Sequence, residues 1–347
     1  MKIVFVYLGN EIPKYAVQNI VTFSNRFANL ETWLVSDNTQ TFNNFQGSNI
    51  RTWHCKNPLS YISPLIEFRN VDRDFRGGFW LLALARFYAL EEFFQAHENE
   101  AIMQIECDVL ILNTFPFNVV GKIKNDLAFP MINETEAVAS VFYCRSKRAI
   151  ENLNAFISTQ LKTGINITDM NVLRLYSQTY PNRVEILPTN VNNFAGYQPW
   201  VSKLLIKELS SGVKIYKGIF DAATWGQYIG GEDPRNTLGI RRVFHVLKHH
   251  AVDPSRFNWF YESETESPYV SVGSRKVPIF CLHIHSKDSK FFSKNSGSRL
   301  QKRIDSLPRR EKREFLLQIA LTNFRITTLK IIFTVQLKRL KKLFGTS

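Results

Sequence analysis

Two acids interrupt what would otherwise be one continuous apolar strand. Ala101-Ile102-Met103-Gln104-Ile105 leads into Glu106-Cys107-Asp108, and Val109-Leu110-Ile111-Leu112 follows. Short apolar runs of this kind read as buried strands, so the carboxylates fall where the chain should leave a sheet. Residues i and i+2 of a strand share a side. If strand geometry holds through Asp108, both acids face one spot. Like charges that close are costly unless positive charge lies between them. A divalent cation is one such charge, and Mg²⁺ takes one or two carboxylates together with phosphate oxygens. The plain alternative is a loop whose acids are merely solvated.

The rest of the chain supplies a sheet for that strand. Its 347 residues are 44% hydrophobic, enough for a large α/β core with or without a helical appendage. Apolar runs predict strands at 2–8, 32–36, 102–105, 109–112, 138–143 and 213–219. Three- and four-residue apolar spacing predicts helices at 14–28, 80–94, 147–161 and 169–180, with Thr168 or Asp169 capping the last. Gly77-Gly78 mark a loop before the second helix. Strands alternating with helices imply an α/β sheet with parallel pairing. Cys55, Cys107, Cys144 and Cys281 form no CxxC pair and read as free thiols of a reducing compartment. No 18-residue apolar run and no signal-peptide pattern is present, so a cytoplasmic chain is expected.

Charge divides the chain. Residues 286–347 hold 16 Lys/Arg against 4 Asp/Glu, a net +12, while the remainder is nearly balanced at +2. A body at 1–288 and a basic tail at 289–347 are the expected divisions. Residues 289–310 read as a Ser- and Lys/Arg-rich linker. After Pro308 a helical pattern runs to about Phe344, with Ile326, Leu329, Ile332, Phe333, Leu337, Leu340 and Phe344 on one face. Lys330, Lys338, Arg339, Lys341 and Lys342 complete a basic amphipathic helix suited to an anionic membrane interface. Such a helix could equally pack on the body with a solvated basic end. Nucleic acid is not expected as a partner, because the body is balanced and carries no nucleic-acid-binding motif.

Three further constellations bear chemistry. Arg86 lies on the predicted helix before the acids, where a rigid guanidinium fork could hold carboxylate or phosphate. The segment Phe220-Asp221-Ala222-Ala223-Thr224-Trp225-Gly226-Gln227-Tyr228-Ile229-Gly230-Gly231-Glu232-Asp233 sets polar groups among small residues. Asp221, Gln227, Glu232 and Asp233 are candidates for hydroxyl binding or general-base work, with Asp221 as a simple helix cap the alternative. In Cys281-Leu282-His283-Ile284-His285-Ser286-Lys287, a strand would put both imidazoles on one face at metal-ligand spacing, and Lys287 could hold a phosphate.

In this order the parts resemble a GT-A glycosyltransferase. They are similar to the bacterial enzymes of capsule and lipopolysaccharide assembly, and more distantly to the glycogenin and lipopolysaccharide galactosyltransferase group. The matching pieces are the first strand Lys2 to Gly9, Ala85-Arg86-Phe87, Glu106-Cys107-Asp108, residues 220–231 and His283-Ile284-His285-Ser286-Lys287. The likeness covers about 1–290 and leaves the tail outside. It implies a Rossmann-like nucleotide-sugar-binding sheet flanked by helices, and a hexosyltransferase-like activity using a divalent metal (Mn²⁺ or Mg²⁺) and a UDP-sugar. Asp108 is implied as a direct metal ligand, Glu106 as a ribose or metal contact, and His283 or His285 as the completing ligand. Leu8, Gly9, Asn10 and Asp37 would line the nucleotide pocket, and Lys287 would sit near the leaving phosphate. Arg86 would orient the acids or the diphosphate, and Asp221 and Gln227 would face sugar or acceptor. The first acid is Glu where the family pattern has Asp, which places its oxygens differently.

The resulting expectation is transfer of a sugar from a nucleotide sugar to a glycan or lipid-linked acceptor of surface polysaccharide, at the inner face of the membrane. The alternatives are a nucleic-acid- or membrane-binding protein acting through its tail, and a metal-dependent hydrolase or nucleotidyltransferase.

Overall fold

Ile3, Val4 and Phe5 are inaccessible to solvent, so the first strand is covered on both faces, as a central parallel strand must be. The computed structural model describes residues 1–56, 58–62, 78–98, 100–163, 168–191, 196–238 and 242–307. In chain order the elements are β1 (Lys2–Tyr7), α1 (Lys14–Arg26), β2 (Thr32–Ser36), β3 (Arg51–His54), α2 (Phe79–Ala96), β4 (Ile102–Ile105), β5 (Val109–Ile111), α3 (Phe117–Val120), β6 (Leu127–Pro130), β7 (Val141–Cys144), α4 (Lys147–Thr163), α5 (Asp169–Thr179) and β8 (Val184–Leu187). They continue with α6 (Lys203–Leu209), α7 (Val213–Tyr216), α8 (Thr224–Gly230), β9 (Asn258–Glu262), β10 (Ser267–Val272), β11 (Arg275–Pro278), β12 (Cys281–His283) and α9 (Ser296–Asp305).

Seven strands form the main sheet in the order β3-β2-β1-β4-β7-β6-β8. All neighbours in it are parallel except those of β7, which runs against both β4 and β6. The expected α/β architecture is therefore present. Period-2 alternation divides the sheet into two faces. Ile3, Phe5, Leu34, Met103 and Ile105 share one apolar cluster with Ala16, Ile20 and Phe23 of α1. Helix α2 is apolar nearly all round and buries most of its length, as a helix wedged into a core does. Its Phe93 meets Trp33 edge-on with ring centroids 5.4 Å apart, and its Phe87 lies 5.3 Å from Phe142.

Two small sheets complete the body. β9, β10 and β11 form an antiparallel meander, which the sequence reading lacks because its residues alternate between exposed and buried with few aliphatic runs. β12 pairs antiparallel with β5, setting Cys281 opposite Ile111 and His283 opposite Val109. Residues far apart in sequence thus meet beside the acids.

Several element expectations are corrected. Residues 213–219 are not a strand: Gly212 and Lys217, both left-handed (φ +77° and +60°), bracket the single helical turn α7. Ile219 alone makes a bridge, to Ile279. The strand predicted at 138–143 begins at Val141, because Val138 turns to bond Pro130. The linker expected from 289 is in part structured. Phe291, Phe292, Leu300 and Ile304 are buried, and α9 occupies its centre. The chain divides into one compact unit, Met1–Asp305, and a second, Ser306–Ser347. The tail helix expected after Pro308 lies outside the described residues. Among the described residues no helix is long and apolar enough to cross a membrane.

Helix α8 abuts β12 at Gly226, where an added Cβ would sit 2.3 Å from the His283 carbonyl oxygen and 2.4 Å from its nitrogen. Backbone cannot yield as a flexible side chain can. Gly226→Ala is expected to cost about 3 kcal/mol, the upper end of ordinary overpacking, measured as a lowered urea midpoint with an unchanged slope.

Candidate functional site

In the strand order β3-β2-β1-β4, the chain builds outward from β1 through β2 to β3 and then returns to β1's other side with β4. The order reverses between β1 and β4, and in open α/β sheets ligands bind in the crevice at the carboxyl ends of the strands at such a point. The segments leaving there are Leu8-Gly9-Asn10 after β1, Asp37 after β2 and Glu106-Cys107-Asp108 after β4.

Gly9 has φ +118°, a conformation that glycine adopts without a Cβ penalty. Its N–H donates to Asp37 Oδ1 at 3.0 Å, and the Asn38 side-chain amide donates to the Asn10 carbonyl. Leu8 is buried. The structure therefore brings Leu8, Gly9, Asn10 and Asp37 together at the ends of β1 and β2.

The acids converge for a different reason than strand alternation. β4 ends at Ile105, and Glu106 to Val109 form a tight turn closed by the Val109 N–H donating to the Glu106 carbonyl at 3.0 Å. His283, at the end of β12, completes the group. Its Nε2 lies 3.1 Å from Asp108 Oδ1 and 3.6 Å from Glu106 Oε2. One ligand atom from each of Glu106, Asp108 and His283 fits within 4.8 Å of the others. His285 does not share a strand face with His283, because β12 stops at His283. The two rings stand edge to face, 4.5 Å apart. Lys287, held in the left-handed region (φ +53°), brings Nζ to 3.9 Å from Asp108 Oδ2 and lies 5.7 Å from the centre of the Tyr15 ring.

Charge explains how this arrangement persists. Burial would depress His283, but Asp108 and Glu106 outweigh it and raise the imidazole to about 9. Burial would raise Asp108, yet the charges of His283 and Lys287 hold it well below the usual carboxylate range. His285 is pushed down to about 3, by burial and then by the His283 charge, so it is a neutral neighbour. Arg86 pairs with Glu106 on one side and with Asp169, at the start of α5, on the other. Arg86, expected either to orient the acids or to hold the diphosphate, has both arms on carboxylates in the described structure. Asp169 is raised by burial against the pull of Arg86.

Two carboxylates and an imidazole fit a first-row divalent cation such as Mn²⁺, whose binding would displace the His283 proton. Glu106 Oε2 is buried without a hydrogen-bond partner among the described residues. The His283 imidazole lies 3.6 Å from it, beyond hydrogen-bond reach, so a lone pair of the oxygen is left for a cation.

One expected site residue is committed to the backbone. Asp221 is fully buried, and its carboxylate accepts from the N–H groups of Trp225 (2.8 Å), Gly226 (2.7 Å) and His283 (2.8 Å). Both oxygens are spent on fastening the start of α8 to β12, so Asp221 positions His283 from behind rather than facing a sugar. Gln227 follows Gly226 in α8; it is buried, and its Oε1 has no hydrogen-bond partner among the described residues. Glu232 pairs with His245, and Asp233 with Arg235 at 2.7 Å.

The sequence reading missed Tyr15 and Asn19, and took Asp169 only for a helix cap. Thr168 caps α5, accepting from Asn171 N at 3.2 Å, which frees Asp169 for Arg86. The available signal was a polar residue at a core position: Asn19 stands among Ala16, Ile20 and Phe23 on the buried face of α1.

No family model matches the sequence, and no curated protein matches it. Among solved structures the chain is distantly similar to the PaToxG glycosyltransferase, at 12% identity over 52% of this chain and 68% of that one, with a TM-score of 0.34. It is similar to the glycosyltransferase GlyE of Streptococcus pneumoniae TIGR4, at 12% identity over 54% of this chain but only 45% of that one, with a TM-score of 0.34. It is also similar to the inositol-1-phosphate CTP transferase from T. maritima, at 12% identity over 54% and 84%, with a TM-score of 0.32. Likenesses this low say nothing of substrate or reaction.

Removing one member of a buried ion network leaves its partners charged and unpaired. Arg86→Met is expected to destabilise the fold by about 3–5 kcal/mol, read from urea unfolding. Arg86→Met combined with Asp169→Leu should recover part of that loss, because one of the two stranded carboxylates is then gone.

Proposed function

We propose that this chain is a metal-assisted glycosyltransferase that moves a sugar from a nucleotide-sugar donor to a glycan or lipid-linked acceptor in surface-polysaccharide synthesis. One observation carries the reading: Glu106, Asp108, His283 and Lys287 converge at the carboxyl ends of parallel strands, at the point where the strand order reverses. That place in an α/β sheet suits a nucleotide, and the mixed set of anions and cations suits a diphosphate.

In this reading Leu8, Gly9, Asn10 and Asp37 hold the nucleoside at the ends of β1 and β2. Glu106, Asp108 and His283 would hold Mn²⁺ or Mg²⁺, which supplies Lewis-acid stabilisation of charge on the departing diphosphate. Arg86 fixes the orientation of Glu106. Lys287 offers a point charge to phosphate oxygens as the sugar–phosphate bond breaks and negative charge gathers on the leaving group. Where the reaction inverts, a base must accept the acceptor's hydroxyl proton. Asp221 is occupied with backbone donors, so Glu232 and Asp233 are the carboxylates left for that work. The donor is expected to be a UDP-sugar.

A ligand that binds only the folded chain raises its melting temperature by mass action. UDP-, GDP- and CMP-sugars are to be screened with and without Mn²⁺ on the wild type and Asp108→Ala. One sugar-nucleotide class should raise the melting temperature by several degrees in a metal-dependent way, and the variant should lose the effect. Stabilisation by CTP or another nucleoside triphosphate instead, with pyrophosphate released on turnover, would move the assignment to a nucleotidyltransferase. No shift with any donor, from a folded protein, would sink both.

The same proposal places the enzyme on the inner face of the membrane, through the net +12 of residues 286–347. The full chain should co-sediment with anionic vesicles in low salt, and a chain ending at Asp305 should not. Equal sedimentation of the two would remove the tail as the anchor.

A further inference from the structure

The turn that carries the acids has nearly all of its backbone accounted for. The Glu106 N–H donates to the Ser140 carbonyl at 3.1 Å, and the Glu106 carbonyl receives the Val109 N–H. The Asp108 carbonyl receives the Ile284 N–H at 2.9 Å, which joins the turn to the His283 segment. The two remaining carbonyls, those of Cys107 and Val109, flank Asp108 on either side. Both are taken by one side-chain amide: Asn19 Nδ2 donates to Cys107 at 3.1 Å and to Val109 at 2.8 Å.

Asn19 is 2% exposed and stands on the core face of α1 between Ala16 and Ile20. An asparagine there carries a desolvation cost that a leucine would not, offset only by the bonds it makes. Those bonds do not join α1 to a neighbouring helix or to the centre of the sheet. They close over the residue whose carboxylate faces His283 and Lys287. Repulsion between Glu106 and Asp108 would tend to push Asp108 away, and the Asn19 amide ties together the carbonyls on either side of that residue.

We propose that Asn19 is the positioning residue of the acidic turn: it clamps the backbone on either side of Asp108, fixes where that carboxylate stands against Glu106 and His283, and so sets the affinity of the site for a divalent cation. This rests on the cation-site reading of Glu106, Asp108 and His283. Asn19 touches no reacting atom in that reading. It acts through the turn, as groups that orient metal ligands do.

The test is a Mn²⁺ titration of the full chain, followed by the loss of the free-ion EPR signal, at a temperature where every variant is folded. Asn19→Leu keeps the branched outline with slightly bulkier ends and removes the amide that donates both bonds. Asn19→Ser serves where the leucine variant does not fold. Asp108→Ala reports whether the signal belongs to this site. Tyr216→Phe, which removes a buried hydroxyl from Glu185 on a distant strand, reports what stability loss alone does to the titration. Wild type and Tyr216→Phe are expected to bind alike, and either Asn19 variant roughly 10- to 100-fold more weakly, the range seen when support behind a metal ligand is removed. Binding by the Asn19 variants within twofold of wild type, with only a lower melting temperature, overturns the inference and leaves the cation site standing. Absence of Mn²⁺ binding by the wild type overturns the cation-site reading and the inference with it.

Discussion

Two carboxylates one residue apart in a half-buried turn are stabilised by positive charge that reaches them from other parts of the chain. The architecture around Glu106 and Asp108 is organised around that charge. Arg86 comes from α2 and clasps Glu106 while spending its other arm on Asp169. His283 comes from β12, and Lys287 from the turn beyond it. No one of these groups is near the acids in sequence. Each is delivered by a separate element, so the acids gain that charge only in the complete fold. In a partly folded chain they would be solvated or protonated.

Delivery of charge depends in turn on backbone placed to tight tolerance. The β5–β12 pairing fixes His283 opposite Val109, one residue from Asp108. Gly226 permits α8 to touch the His283 backbone, and Asp221 accepts N–H groups from both partners. The Gly- and Ala-rich composition of residues 222–231 is thus explained by close approach. Ala223 and Gly231, both left-handed, form the bends at either end of α8. Asp221, which looks in the sequence like one of a reactive set, is framework.

What the sequence made legible was whatever local pattern controls. The strands β1, β2 and β4 and the helices α1, α2, α4 and α5 follow from apolar spacing, with their ends displaced by a few residues. The acids, Arg86, His283 and Lys287 were legible as chemistry that needed partners. What escaped was decided by contacts distant in sequence. Asp221 was open to two readings, a hydroxyl-binding or basic group and a helix cap; its bonds to Trp225 and Gly226 follow the cap reading, and only the third donor, His283 of β12, was out of sight. Asn19 was passed over because a single polar residue on an amphipathic helix ordinarily faces water, although its place among Ala16, Ile20 and Phe23 marked the core face. Residues 213–219 read as a strand until Gly212 and Lys217 turned them into one helical turn. The stretch after Lys287 read as linker because four apolar residues are dispersed among Ser, Lys and Arg, and only their common burial reveals α9.

The carboxylate of Asp221 joins two elements. It holds the N-terminal turn of α8 and the backbone of His283 at once, within a contact too close for either to slide over the other. The His283 imidazole is therefore mounted on a rivet and not on a hinge. Its distance from Asp108 is set by α8 and β12 together, with no slack left to its own stretch of chain.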